Sequence, residues 1–189
     1  MFNEEFLTDH FCLKNEIDKI LKTDEKTKNL LKKLGYKFSP DKHLEYISHC
    51  QSSENGKLKI PAYYSGESIV FCEDNITGYM RDQLDVLLRH ELTHLYDEKV
   101  LKLNLLDQEK DLKISEMRAY KYSGYCDFSN RLQRGQFLNS ERECLAIMTM
   151  NSLSCVAGKV FDKDQQVNIK LELDEIYNSK GFMKDLEMD

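Results

Sequence analysis

The stretch LLRHELTHLYD, residues 87–97, carries two histidines four positions apart, His90 and His94, with Glu91 directly after the first. Apolar residues at Met80, Leu84, Leu87, Leu88, Leu92 and Leu95 recur at helical spacing around them, so the segment reads as a helix over about 77–101. On a helix, positions i and i+4 share one face about a turn apart, and both imidazoles reach the same ion. Zinc held by neutral ring nitrogens keeps a position open for water and lowers that water's pKa towards ~7. Glu91 is placed to accept the water's proton and deliver it to a leaving amine. A string of this form arises by chance on the order of once in a hundred chains of such composition, so the motif needs support from the rest of the sequence.

A catalytic zinc site takes a third protein ligand. Two candidates lie within one structural step: Asp97 on the same helix and Glu116 on the next. Asp97 is three residues beyond His94, near the right face but one turn too far along, which suits a carboxylate that orients a ligand better than one that binds metal. Glu116 opens the run SEMRAY on a separate helix that is free to pack across the first, and it is the preferred third ligand. Arg118 is read as a solvated, exposed salt-bridge residue, Tyr120, Tyr122 and Tyr125 as core or boundary residues with a minor claim to oxyanion stabilisation, and His10, His43 and His49 as structural or surface.

Outward from the motif, Phe6, Ile17, Ile20, Leu21, Leu30, Leu31 and Leu34 predict two helices over about 4–36, joined near Lys22–Glu25, with Gly35 as a C-cap and Pro40 barring continuation. Segments 43–50, 58–64 and 68–72 are short, aromatic or β-branched, and separated by SSENG and SG, which predicts a small antiparallel meander over about 43–73. Segment 63–72 is the candidate edge for holding an extended peptide as an added strand. Helices are expected over about 111–122, 140–152 and 163–179, placing the C-terminal helical part at about 111–180. Helices, sheet, helices in that order, with no repeat or Pro/Gly-rich linker, predict an α+β fold and a single domain over 1–189.

The 189 residues suffice for a self-sufficient core, and 41% hydrophobic with 32% charged residues is a globular composition. A net charge of −6 with interspersed lysines argues against nucleic acid as a partner. No apolar run approaches the ~20 residues of a spanning helix, so any membrane association is expected to be peripheral. The start MFNEEFLTDHFC lacks the pattern of a signal or transit peptide, so no cleavable targeting sequence is expected from it. Cysteines at 12, 50, 72, 126, 144 and 155 form no CxxC pair and permit up to three disulfides.

The segment CEDNI before the helix, HELTHLYD, SEMRAYKYSGYC and two later cysteines together resemble the mitochondrial metallopeptidases of the Atp23 family, over roughly Cys12 to Phe182. The resemblance implies a zincin-like zinc metalloendopeptidase with one catalytic zinc, His90, His94 and Glu116 as ligands, and Glu91 as the catalytic acid and base. It also implies a place in the mitochondrial intermembrane space, peripheral to the inner membrane, and a precursor substrate that is the prosequence of an ATP synthase subunit. A further implication is a role in assembling ATP synthase that does not need the catalytic glutamate. The chain departs from the family in cysteine: positions where the family carries more read Ser48, Lys102 to Lys113 and Tyr177. A thinner disulfide framework is therefore expected.

Overall fold

A computed structural model of the protein describes residues 4–48, 50, 60–76, 78–135 and 140–187. It is mixed α+β, mostly helical with one three-stranded sheet, and divides into two compact units, Met1–Val100 and Leu101–Asp189.

The first unit opens with α1 (Glu4–Thr23) and α2 (Glu25–Leu34). The break between them falls where the polar stretch places it. Asp24 is the N-cap of α2, its carboxylate accepting the Thr27 N–H at 2.8 Å and the Thr27 hydroxyl at 2.7 Å. Gly35 ends α2 at φ 56°, its N–H reaching Leu31 O. The short α3 (Pro40–His43) follows, and His43, one of the histidines read as structural, is buried, accepts the Ser39 N–H at 2.9 Å and stacks on Phe38. His49 and the side chain of His10 lie outside the described residues.

The sheet comprises β1 (Leu44–Ile47), β2 (Ala62–Tyr64) and β3 (Ile69–Cys72) in the order β1-β3-β2. It is not the expected antiparallel meander. β2 and β3 do form an antiparallel hairpin, with Tyr64 opposite Ile69 and the Ser65 N–H on Ser68 O at 2.8 Å, but β1 runs parallel to β3, with Leu44 opposite Ile69 and Ile47 opposite Cys72. The reason lies in burial. Every residue of β3 is buried, as a continuous apolar run in a central strand must be, whereas β1 and β2 each keep exposed positions and take the edges. The Cys50–Cys72 disulfide joins the chain just past β1 to the end of β3, matching the parallel sense. The SSENG turn lies outside the described residues.

Helix α4 (Leu84–Lys99) is shorter than the expected 77–101. Residues Gly78–Gln83 form a 3₁₀ helix instead, with Gly78 at φ 49° and Met80 41% exposed. A period of three and one of 3.6 give the same apolar spacing over so few residues. Leu84, Leu88, Leu92 and Leu95 anchor α4, and α1, α2, β2 and β3 all pack on it.

The second unit holds α5 (Glu109–Ser123), α6 (Phe128–Gln133), α7 (Glu141–Ala157), α8 (Lys163–Asn178) and α9 (Lys184–Glu187). Gly124, left-handed at φ 80°, closes α5, and capping boxes at Ser140/Glu143 and Asp162/Gln165 open α7 and α8. Met117, Leu145, Leu153, Ile169 and Leu173 form the core with the Cys126–Cys144 disulfide. Two bridges join the described cysteine side chains, within the three that the count permits: Cys155 is a free thiol, and the side chain of Cys12 lies outside the described ones. Loop closures of 22 and 18 residues are each worth about 3 kcal/mol in a chain-entropy account.

Candidate metal centre

The spacing of His90 and His94 on α4 brings their Nε2 atoms to 3.1 Å, with the rings edge to face at 81°. Two neutral imidazoles that aim lone pairs at one point repel unless a proton or a cation lies between them. A tetrahedral zinc ion with Zn–N distances of ~2.0–2.1 Å sets two of its ligand atoms about 3.3 Å apart. The observed pair fits that edge, and nitrogen donors of this kind suit zinc. His94 and Glu91 are buried and His90 is half-buried, so the pair sits in a protected position at the middle of a fixed helix. Asp97, one turn on from His94, is fully buried.

What holds α4 in rotation is a contact to the N-cap of α2 that motif reading does not reveal. Arg89, adjacent to His90, is buried and reaches Asp24 Oδ1 at 2.8 Å and Asp85 Oδ2 at 2.7 Å. It thereby ties the motif helix to the N-cap of α2. Burial pushes the Asp24 carboxyl upward, but hydrogen bonds from Thr27 and Arg89 outweigh it and hold the group below its ordinary 3.8. A group with a depressed folded pKa contributes stability that is complete above the unfolded value and is lost as pH falls through the folded one. Asp24→Asn, which keeps the cap but not the charge, is thus expected to lower the melting temperature at pH 7, and the gap from wild type should close as pH drops below 3.8. Thermal unfolding across that range, monitored by circular dichroism, measures it; a gap that does not change with pH would show that the ion pair contributes nothing.

At the far end of α4, Lys99 Nζ donates to Gly66 O at 2.9 Å and to Glu98 Oε1 at 2.7 Å, and the Tyr64 hydroxyl donates to the same Gly66 carbonyl at 2.7 Å. Burial and the neighbouring Glu98 push the Tyr64 hydroxyl well above the usual tyrosine range. The β2–β3 turn is thereby fastened to the helix that carries the histidines. Within the candidate segment 63–72, β2 is an edge strand among the described residues, whereas β3 is flanked on both sides.

In the second unit, Glu116 is a buried carboxylate on α5. Arg118 is not the exposed pair expected of it. It is 3% exposed and makes a bidentate contact with Asp185, at 3.0 and 2.7 Å, that anchors the C-terminal segment together with a bond to Phe182 O. Tyr120 bonds Ser152 Oγ at 2.8 Å and packs edge-on to Tyr125, over whose ring Arg134 lies at 3.7 Å, so both behave as boundary residues. The sequence carried no signal for the pairing of Arg89 with Asp24 or of Lys99 with Gly66, since folding alone brings these partners near.

The chain matches the peptidase M76 family over residues 12–179. Among curated proteins it is similar to the mitochondrial inner membrane protease ATP23 homolog of Mus musculus, 32% identical over 97 residues, which are 49% of this chain and 47% of that protein. The homolog of Danio rerio is 26% identical over 113 residues, 59% of this chain and 42% of the relative. The homolog of Homo sapiens is 25% identical over 181 residues, 94% of this chain and 70% of the relative. The matches to the mouse and zebrafish proteins thus span less than half of those proteins' length. No solved structure matches the chain.

Proposed function

The chain belongs to the peptidase M76 family, and on that premise we propose that it is a zinc-dependent endopeptidase with one catalytic ion, folded as a zincin-like domain over residues 1–189. The observation that carries the reading is the 3.1 Å approach of His90 and His94 Nε2 on one turn of a buried helix, with Glu91 between them in sequence. His90 and His94 hold the metal, and Glu116, a buried carboxylate from α5, is the third ligand. Asp97, buried one turn on from His94, orients a ligand of that set. When bound, zinc polarises the scissile carbonyl and lowers the pKa of the attacking water. Glu91 takes the proton released as that water attacks and hands it to the leaving nitrogen, so one carboxylate serves as base and then acid. β2 supplies the edge on which an extended peptide adds as a strand, and its turn is held by Lys99 and Tyr64.

The similarity to proteins named as mitochondrial inner membrane proteases supports a precursor protein as substrate, an ATP synthase subunit by the family resemblance. It also supports a position in the intermembrane space, peripheral to the inner membrane. Among the described residues no helix is long and apolar enough to cross a membrane. A chaperone that assists ATP synthase assembly without hydrolysis is the alternative reading of the same chain. Dialysis against a chelator is expected to abolish cleavage of a precursor peptide, and one equivalent of zinc should restore it. Cleavage that survives complete removal of metal would overturn the proposal.

A further inference from the structure

Helix α4 carries polar groups that the proposed reaction does not use, and they form one strip. Asp85, Arg89 and Thr93 follow one another at four-residue spacing, immediately beside the strip that bears His90 and His94. The Arg89 guanidinium joins Asp85 Oδ2 on its own helix to Asp24 Oδ1 at the N-cap of α2, and the Thr93 hydroxyl donates to Arg89 O at 2.8 Å. Arg89 is buried and Thr93 fully so. Stability alone does not ask for these groups there, since apolar side chains of like size would fill the space without the cost of taking a charge and a hydroxyl out of water. A buried ion pair is better suited to fixing register.

The register it fixes is that of the histidines. Arg89 directly precedes His90 and Thr93 directly precedes His94, so both act on the backbone of the turn that spaces the two imidazoles. A threonine hydroxyl on the carbonyl four residues back gives that carbonyl a second donor and alters the local curvature of the helix. The residue whose carbonyl takes this bond, Arg89, is pinned through its side chain to Asp24, and Asp24 is held in turn by the Thr27 N–H and hydroxyl on Oδ2. Metal–ligand distances tolerate only about 0.2 Å of error, so a small change in that turn is enough to spoil the 3.1 Å approach of the two Nε2 atoms. We propose that Arg89 and Thr93 are positioning residues that hold the turn 90–94 at the curvature two ligands of one zinc ion require. This rests on the reading of His90 and His94 as ligands.

Thr93→Val keeps the side chain's shape and leaves Arg89 O its helical N–H donor, so circular dichroism and melting temperature should stay near wild type. Its zinc dissociation constant, measured by competition with a chromophoric chelator and without any peptide, is expected to rise about tenfold, the low end of what a metal site loses with a supporting contact. The visible absorption of bound cobalt should change with it. Thr93→Ser, which restores the donor, should bind zinc as wild type does. Arg89→Met, which fills the space of the guanidinium with an apolar chain, should weaken binding by a similar factor, and the double variant by less than the product of the two, because both act through one turn. Zinc affinity and cobalt absorption that stay at wild-type values in Thr93→Val and Arg89→Met, whatever happens to the melting temperature, would make both residues structural only and overturn the proposal. So would Thr93→Ser behaving as Thr93→Val does. If Arg89→Met fails to fold, the two Thr93 variants decide. Zinc bound by wild type and lost in His90→Ala upholds the ligands independently, so unchanged affinity in the positioning variants leaves the peptidase reading standing.

Discussion

Glu91→Gln is expected to leave zinc content, circular dichroism and both disulfides unchanged while cleavage of a precursor peptide falls by about 10²–10⁴-fold. The amide matches the carboxylate in size, so the buried position on α4 accommodates it without a cavity. It cannot take a proton from water or return one to nitrogen, and the loss should fall on kcat with KM little changed, since the substituted group acts on the reacting atoms and not on the peptide's hold. Cleavage within a few fold of wild type would sink the assignment of Glu91. The same variant separates the two readings of the chain: ATP synthase assembly that persists without cleavage would point to a chaperone activity beside hydrolysis.

The second large effect concerns the proposed third ligand. Glu116→Gln is expected to weaken zinc binding by about 10²–10³-fold, the share of one ligand in a site whose whole binding energy is on the order of 10–16 kcal/mol. Asp97→Asn, removing a group proposed only to steady a ligand, should cost about 10–100-fold. Those ranges touch, so cobalt substitution decides. Loss of a direct ligand alters the visible absorption of bound cobalt, whereas loss of a supporting carboxylate leaves its coordination in place. A changed cobalt spectrum in Asp97→Asn with an unchanged one in Glu116→Gln would exchange the two roles.

What the sequence made legible was local. The histidine pair, the Gly35 and Gly124 caps and the break at Asp24 depend on residues within a turn of each other, and all three features lie where spacing puts them. The parallel pairing of β1 with β3 joins segments 25 residues apart in register, Leu44 with Ile69, and strand patterns alone do not encode which neighbours meet. Burial did carry a clue, because IVFC is apolar at every position and so belonged in the centre. α6, with six residues, is too short for any periodicity to announce it. Six cysteines allow 15 full pairings, and spacing could not choose the two bridges that form. Arg118 was read by its residue type as an exposed pair, and its burial comes from the C-terminal segment folding back to meet it.

The Cys50–Cys72 bridge has one more consequence, for survival under attack. A peptidase works among other peptidases, and a single cut between residues 50 and 72 would ordinarily release β1 from the strands that pack on α4. Here the two pieces remain one covalent molecule, with β1 still tethered to β3 at the end where the strands run out together. A nicked chain keeps its mass without reductant and divides only when reductant is added.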